Sequence, residues 1–310
     1  MKRRTRLNVT IVGAGKVGSV LGRVLVENGC RVVCVVSRTR RSANRVGRFL
    51  RSKLAVTDLE SIPPETDLIF IATPHSAVTE VAGALARRKG LNFRRIAVCH
   101  ASGMLTAAAL EPLRQAGATV FSFHPLQTFP RDFSTSAIMP TARGISYGVD
   151  GGPEGVRMAR RLARILEGEV VEIPPDMRAF YHAACVVASN HLTTLMSVLE
   201  SMHGKIAGRP SGFFRVYKPI IAATLRNIER TTPAKALSGP VARGGVETIR
   251  SHFDAILRFA PTLVPVFAAM SLETVSLALK KGSISGDQAL KMNSLIHQFA
   301  AMTIPTETMP

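Results

Sequence analysis

Three histidines follow short apolar segments in the first half of the chain. His75, His100 and His124 come directly after or close behind the segments 68–72, 96–99 and 118–123, although the whole chain has only 8 histidines. Such segments predict buried strands of a parallel sheet, and ligands bind at the carboxyl ends of strands in sheets of this kind. Imidazole exchanges protons near neutral pH. The pattern therefore predicts a polar site at one edge of a sheet.

A second set of polar residues lies in the nearly apolar segment 179–193. At 3.6 residues per turn, His182, Ser189 and Thr193 fall on one stripe of a helix, with Asn190 on its flank. The composition predicts a helix that is buried on all sides, in which polar side chains need partners. These residues either bond to a neighbouring helix or face a cleft between domains and contact a substrate.

A glycine motif at the start of the chain predicts a dinucleotide site. Gly13, Gly15 and Gly18 follow the apolar run 7–12 in the pattern G-x-G-x-x-G. The first glycine allows a tight turn, the second allows a pyrophosphate to approach the backbone, and the third allows close packing of helix on strand. Glycine-rich turns also occur for packing reasons alone, but the position next to a first strand favours the dinucleotide. We also assign Lys16, Val17, Thr73 and Pro74 to the cofactor site.

The end of the second predicted strand indicates which dinucleotide binds. Strand 31–36 is followed by Ser37 and Arg38, where NAD-binding sites usually have an acidic residue. A hydroxyl and a guanidinium can hold a 2′-phosphate, which a carboxylate would repel. We therefore predict NADP(H). The alternative is that this arginine and those after it only begin a solvated helix.

The chain carries a large excess of positive charge. The 310 residues include 40 Lys and Arg against 21 Asp and Glu, a formal net charge of +19. Seven of the cations lie within residues 38–53, and another group lies at Lys2, Arg3, Arg4 and Arg6. Tryptophan is absent, and no nucleic-acid-binding motif occurs. We therefore attribute the charge to the binding of an anionic cofactor and a small anionic substrate, and we expect no nucleic-acid partner.

Cysteine and hydropathy patterns bear on metals and compartment. The 4 cysteines have no metal-ligand spacing, so we predict no metal site and buried, reduced thiols. The chain passes directly from a basic start into an apolar strand, so we expect no signal peptide. The longest apolar run, 259–272, contains two prolines and is too short to span a bilayer. These features predict a cytoplasmic protein without membrane contact.

The order of elements predicts two domains. Strand and helix signals alternate from residue 7 to about residue 170, which indicates an α/β fold with a doubly wound parallel (Rossmann) sheet. After Pro174 and Pro175 the sequence has no clear strands and several helical segments. We therefore predict a dinucleotide-binding domain at 1–174 and an all-helical domain at 175–310 for substrate binding and dimerisation.

Several motifs together resemble a known family. The chain is similar to Rossmann-like bacterial proteins with an uncharacterised helical C-terminal domain. This family is related to ketopantoate reductases, β-hydroxyacid dehydrogenases and pyrroline-carboxylate reductases. The resemblance implies a homodimer, and some members act as alternative ketopantoate reductases. It rests on the glycine motif, His100–Gly103, Phe123–Gln127, Tyr181–Ala184 through Ser189–Asn190, and Ala236–Gly244.

The resemblance also implies roles for individual residues. In the wider group a Ser/Asn-Gly turn contacts substrate, which corresponds to Ser102 and Gly103. Ketopantoate reductases have a catalytic lysine and, eight residues later, an asparagine; these positions fall on His182 and Asn190. Imidazolium can protonate an alkoxide as a lysine does. We predict substrate binding by His100, Gly103, His124, Arg243 and Glu247.

Two positions depart from the family pattern. Arg178 stands where a lysine is usual, and Gly245 stands where Asp is usual. We predict NADPH-dependent reduction of a small 2-oxo acid, with ketopantoate as the leading candidate and His182 as proton donor. Ser102 and Asn190 would bind the substrate. The alternatives are another keto acid or an imine, or an NADP-binding regulator without enzymatic activity.

Overall fold

The chain divides into two compact units. The computed structural model describes residues 6–302, so the predicted basic group at Lys2, Arg3 and Arg4 lies outside the described residues. The first unit ends at Asn190 and the second begins at His191. The predicted boundary at 174 is earlier, because Pro174 ends the α/β pattern without ending the packing of the chain on the first unit.

The first unit contains a six-stranded parallel sheet. Its strands run in the order β3-β2-β1-β4-β5-β6, with every neighbouring pair parallel. This is the strand order of a Rossmann fold, in which the order of the strands reverses between β1 and β4. The predicted fold class is confirmed. The strands are β1 Asn8–Val12, β2 Arg31–Val36, β3 Leu54–Val56, β4 Leu68–Ile71, β5 Ala97–His100 and β6 Thr119–Ser122.

Helices cover both faces of this sheet. The strands alternate little between apolar and polar residues because both of their faces are buried. Buried residues of α1 and α6 pack in one apolar core, and those of α3 and α4 pack in the other. The helices of this unit are α1 Lys16–Glu27, α2 Arg40–Leu50, α3 His75–Ala86, α4 Glu111–Gln115, α5 Thr135–Ile138, α6 Pro153–Ile165 and α7 Arg178–Val186.

A small second sheet was not expected from the sequence. β7 His124–Pro125 pairs antiparallel with β8 Ser146–Val149, which pairs parallel with β9 Glu169–Glu172. Two or four residues are too few for a periodic signal to stand out from the surrounding loops. The sheet matters for the site because β7 holds His124 directly after β6.

The second unit is helical, as predicted. Its apolar core lies among α11, α12 and α13 and includes the buried rings of Phe253 and Phe299, which stack at 5.0 Å between centroids. The helices are α8 Leu192–Ala207, α9 Phe213–Arg230, α10 Pro233–Ala236, α11 Val246–Phe259, α12 Val264–Lys281 and α13 Gly286–Ala301.

The segment predicted as one buried helix differs in two ways. α7 ends at Val186, and Val187–His191 forms a π-helical turn before α8 begins. The stripe drawn at 3.6 residues per turn therefore does not continue through this turn, because a π turn holds more residues. The segment is also not buried on all sides: Phe180 is 71% exposed and Val187 is 58% exposed. Its apolar residues are not all used for packing within one chain.

The length argument against a membrane span does not hold in the structure. The helical stretch Pro261–Lys281 has 21 residues with a mean hydropathy of 1.7, so by length and composition it could cross a membrane. It passes through both prolines because Pro261 and Pro265 lie in first turns, where the missing N–H is tolerated. One such helix is weak evidence, since core helices of soluble proteins also meet this criterion. Val264, Ala268, Val275 and Ala278 are buried in the core of the second unit.

Candidate functional site

A cleft of about 1050 Å³ lies at the carboxyl ends of β1, β2 and β4. This is the topological switch point at which doubly wound sheets bind ligands. Seven of the nine residues that we assigned to the cofactor line the cleft. They are Gly13, Gly15, Lys16, Ser37, Arg38, Thr73 and Pro74.

The glycine turn has the geometry that a dinucleotide requires. Gly13 has φ +114°, and a Cβ there would lie 2.6 Å from the carbonyl carbon of Ala72. A Cβ on Gly15 would meet nothing within 4 Å, so the backbone at this position is open to a ligand. Gly15 also precedes the first turn of α1, where no side chain caps the N–H groups and no acidic residue lies. These N–H groups can bind a phosphate.

The other two predicted cofactor residues, Val17 and Gly18, are not among those that line the cleft. A Cβ on Gly18 would lie 2.3 Å from the carbonyl oxygen of Gly13, so this glycine allows the helix to pack closely on the turn. The third glycine of the motif was expected to do this. The contribution of Val17 remains a prediction.

Thr73 contributes a buried hydroxyl to the lining of the cleft. Its Oγ1 is buried and has no hydrogen-bond partner among the described residues. Buried hydroxyls without a partner are rare and costly. The open backbone at Gly15 and this hydroxyl both lie at the cleft, so the residues fit a dinucleotide with its many polar groups.

The end of β2 provides the cationic side of the cleft. Ser37 and Arg38 line it together with Ser42 and Arg45 of α2, and Thr39 caps that helix by accepting a hydrogen bond from the N–H of Ser42 at 3.3 Å. Two guanidiniums and two hydroxyls can bind a 2′-phosphate. Four of the five other cations of this region line a separate groove beside β3: Arg40, Arg48, Arg51 and Lys53.

Two predicted residues, His124 and His182, lie beside Gly103. A Cβ on Gly103 would lie 2.6 Å from His182 Cδ2 and 2.9 Å from His124 Nε2. The two ring centroids are 6.2 Å apart, and both rings are partly buried. The turn after β5, the strand β7 and the helix α7 thus pack two imidazoles against one glycine.

His124 is also hydrogen-bonded to Tyr181. Its Nδ1 lies 2.7 Å from the phenol oxygen of Tyr181. Burial, reinforced by the cationic Arg178 and by His182 and His100, lowers the pKa of His124 to about 4. Burial, together with Cys185, raises the pKa of Tyr181. At neutral pH the pair is therefore a neutral imidazole and a protonated phenol.

Arg178 has a structural role in this site that its departure from the family pattern did not indicate. It is 2% exposed and its Nη1 lies 3.3 Å from Asp150 Oδ1. Its Nε and Nη2 donate hydrogen bonds of 2.9 Å to the carbonyl oxygens of Gly103 and Ser102. Its guanidinium lies 5.3 Å from the centroid of the Tyr181 ring. The arginine thus holds the turn and borders the Tyr181 ring.

His100 was predicted to bind substrate, and the structure gives it partners inside the protein. The residue is fully buried. Its Nε2 lies 3.0 Å from the carbonyl oxygen of Thr106, and its Nδ1 accepts a hydrogen bond of 3.2 Å from the N–H of Ser102. Because both ring nitrogens have partners inside the protein, His100 shapes the turn that follows β5.

Ser102 lies in that turn, and its side chain has partners there. Its Oγ accepts hydrogen bonds from the N–H groups of Met104 at 3.3 Å and Leu105 at 3.2 Å. The hydroxyl hydrogen can still be donated to a ligand. Substrate binding by Ser102 remains a prediction, and the geometry shows a role in forming the turn.

The other predicted residues lie at the end of the first unit or in the second unit. Asn190 lies in the π-helical turn, is exposed and is the last residue of the first unit. Arg243 and Glu247 belong to the second unit, where Glu247 is paired with Arg250 at 3.7 Å. Gly245 precedes the helix α11 without a side-chain cap. Their roles toward a substrate remain predictions.

Two family profiles match the chain without overlapping. A Rossmann-like domain matches residues 1–125, which defines the class of protein. The domain of unknown function DUF2520 matches residues 145–274. The chain therefore carries a Rossmann-like domain followed by a DUF2520 domain, and the predicted resemblance is confirmed.

Solved structures of bacterial proteins share this fold. A candidate NADP oxidoreductase from Bacteroides fragilis is 23% identical with a TM-score of 0.64, over 89% of this chain and 98% of that one. Protein TM1727 from Thermotoga maritima is 18% identical with a TM-score of 0.63, over 95% and 98%. A pyrroline-5-carboxylate reductase from Coxiella burnetii is 13% identical with a TM-score of 0.54, over 97% and 100%. No curated protein matches the chain.

Proposed function

We propose that the protein is an NADPH-dependent reductase of a small anionic carbonyl compound, with a 2-oxo acid as the substrate class and ketopantoate as the first candidate. The observation that carries the proposal is the approach of His124 and His182 to Gly103, in the unit that also contains the dinucleotide cleft. A regulator that only binds NADP has no need for two imidazoles around a glycine turn. The fold shared with a candidate NADP oxidoreductase supports the same class.

The cofactor site would hold NADPH through residues already described. The first turn of α1 would bind the pyrophosphate, and Ser37, Arg38 and Arg45 would bind the 2′-phosphate. When bound, NADPH supplies the hydride that reduces the carbonyl carbon. The chain's own part is to orient the substrate and to provide a proton to its oxygen.

His182 is the proton donor in this proposal. As imidazolium it gives its proton to the carbonyl oxygen, so that the ketone gains one hydride and one proton and becomes an alcohol. It then takes a proton back from water. Gly103 leaves room for the two imidazoles. Binding of the substrate by Arg243, which is exposed, rests on the family resemblance.

An imine is the second candidate substrate. The pyrroline-5-carboxylate reductase that shares the fold reduces a C=N bond, and protonation of nitrogen would need the same donor as protonation of oxygen. Loss of NADPH absorbance should be followed with ketopantoate, other 2-oxo acids and pyrroline-5-carboxylate. Turnover of one class and not the other decides between them.

The activity assay should include variants of two histidines. We expect His182→Ala to lose at least ~100-fold in turnover, the lower range for a lost general acid. His297→Ala is the matched control, since this exposed histidine lies on α13. NADPH binding without turnover of any substrate in the panel would contradict the reductase proposal and favour a regulatory protein.

The preference for NADP(H) has its own test. Arg38→Gln should weaken NADPH binding by roughly tenfold or more, since charge-assisted bonds contribute ~1.5–3 kcal/mol, and should leave NADH binding unchanged. Arg48→Gln removes the same charge from the groove beside β3 and should alter neither affinity. Equal affinities of the native protein for NADPH and NADH in a fluorescence titration would contradict the preference.

We also propose that the protein is a cytoplasmic homodimer without a nucleic-acid partner. The apolar side chains exposed on α9 support the dimer. The cofactor cleft accounts for part of the cationic charge near α2, which supports the absence of nucleic acid.

A further inference from the structure

The hydrogen bond between Tyr181 and Nδ1 of His124 bears on whether the other ring nitrogen, Nε2, carries a hydrogen. A neutral imidazole has one N–H and one acceptor nitrogen. Nδ1 of His124 lies 2.7 Å from the phenol oxygen of Tyr181, and the phenol is protonated at neutral pH. If the phenol donates to Nδ1, the imidazole hydrogen is on Nε2. That nitrogen is the atom that lies beside Gly103.

We propose that Tyr181 fixes His124 as the Nε2–H tautomer, and that this neutral N–H donates a hydrogen bond to the reacting oxygen of the substrate. The inference rests on the proposed reductase function and assigns His124 a role different from holding a carboxylate. His124 gives up no proton in this role. Proton transfer remains with His182.

The groups around His124 favour its neutral form. Arg178 lies 5.3 Å from the centre of the Tyr181 ring, and His182 and His100 lie on the other elements around His124. These groups disfavour a second proton on His124, so the ring stays neutral. A neutral N–H is a poor partner for a carboxylate compared with a cation, but it can polarise a carbonyl.

The position of Gly103 explains why the two histidines lie close together. A Cβ at this residue would lie within 3 Å of both His182 Cδ2 and His124 Nε2, so only glycine lets both rings pack here. Because the two ring centroids are 6.2 Å apart, a substrate oxygen that accepts a proton from His182 can also accept a hydrogen bond from His124. A hydrogen-bond donor placed before charge develops stabilises that charge at little cost in reorganisation.

The tautomer can be measured without substrate or cofactor. In protein labelled with ¹⁵N-histidine, with His124 assigned by its loss in His124→Gln, neutral pH should give Nε2 the shift of a protonated nitrogen and Nδ1 that of an acceptor. Tyr181→Phe should move both shifts toward the average of the two tautomers. His182→Ala should leave the His124 shifts on the same tautomer.

Measurements of kcat in variants then test whether the tautomer matters for catalysis. Tyr181→Phe should lower kcat by about tenfold, the value of one hydrogen bond, with NADPH affinity unchanged. His124→Phe should lower kcat by about 100-fold, as for a lost donor to a developing oxyanion. Nδ1–H in the native protein, or Tyr181→Phe with native kcat, would overturn the inference. Absence of turnover in every variant and in the native protein would instead contradict the proposed function and leave the NMR result intact.

Discussion

At the scale of single residues, the site depends on a buried charge. Arg178 is 3% exposed and Asp150 is 5% exposed in their side chains, and Asp150 Oδ2 accepts a hydrogen bond of 2.7 Å from the N–H of Ala107. Ser122 also donates to this carboxylate. Burial lowers the pKa of Arg178, and the adjacent Asp150 opposes this effect. The guanidinium is a cation because arginine is not deprotonated in proteins. The departure from the family's lysine therefore has a structural reason: a guanidinium can contact two carbonyls and a carboxylate at once.

Removing this arginine should destabilise the whole first unit. Arg178→Met leaves the Asp150 carboxylate buried without its counter-charge, which typically costs ~3–5 kcal/mol of unfolding free energy. Urea denaturation followed by circular dichroism measures the change. Arg157→Met is the control, because Arg157 is 66% exposed in its ion pair with Glu154 and should cost less than ~1 kcal/mol. Equal stability of both variants would show that the buried pair is not needed.

The contrast between Arg178 and the glycine motif shows what sequence can predict about the site. Gly13, Gly15 and Ser37 belong to patterns within a few residues of a strand, so their positions could be inferred from local spacing. Arg178 contacts carbonyls 75 and 76 residues away in the chain, and no local pattern indicates such a pair. The partners of His100 were not indicated for the same reason, since they depend on how the following turn folds.

At the scale of elements, the turn between β1 and α1 contains two glycines that have different roles. Gly13 has a positive φ and a carbonyl carbon within 2.6 Å of where a Cβ would lie, so it serves the fold. Gly15 precedes α1 in an extended conformation with φ −82° and open space around it, so it serves a ligand. The sequence pattern alone treats the two positions alike.

Alanine at these two positions should therefore have different effects. Gly15→Ala should leave the melting temperature unchanged and weaken NADPH binding by at least roughly tenfold, because the methyl group would occupy the path of the pyrophosphate. Gly13→Ala should destabilise the protein by ~2–4 kcal/mol through strain at positive φ and overpacking. Differential scanning fluorimetry with and without NADPH measures both effects. A Gly15→Ala protein that binds NADPH normally would contradict the cofactor site.

The π-helical turn is the element that sequence reasoning described least well. A 3.6-residue period predicted one continuous helix with a polar stripe, and Val187–His191 breaks that period. Such turns often occur at functional sites. The point at which the chain passes from the first compact unit to the second also lies in this turn, after Asn190. Helical propensity is similar on both sides, so no sequence signal distinguished the turn from its neighbours.

At the scale of the whole molecule, apolar residues of the second unit are not all used within one chain. α9 has 18 residues, none of them buried, and it packs against α8 and α10. Ile220 is 66% exposed, and Val216 one turn before it is 55% exposed. Monomeric soluble proteins rarely expose large contiguous apolar patches. A second copy of this chain would cover such a surface, which agrees with the homodimer predicted from the family resemblance.

A charge on this helix should separate the copies. Ile220→Glu would place two carboxylates in a two-fold interface, and an unpaired buried charge costs ~3–5 kcal/mol, so the dimer dissociation constant should rise at least ~100-fold. Size-exclusion chromatography with light scattering measures the mass of each form. Leu290→Glu is the matched control, since Leu290 is 69% exposed on α13 and its substitution should leave a dimer. A native protein with the mass of one chain would rule out the dimer, and a dimeric Ile220→Glu variant would place its interface away from α9.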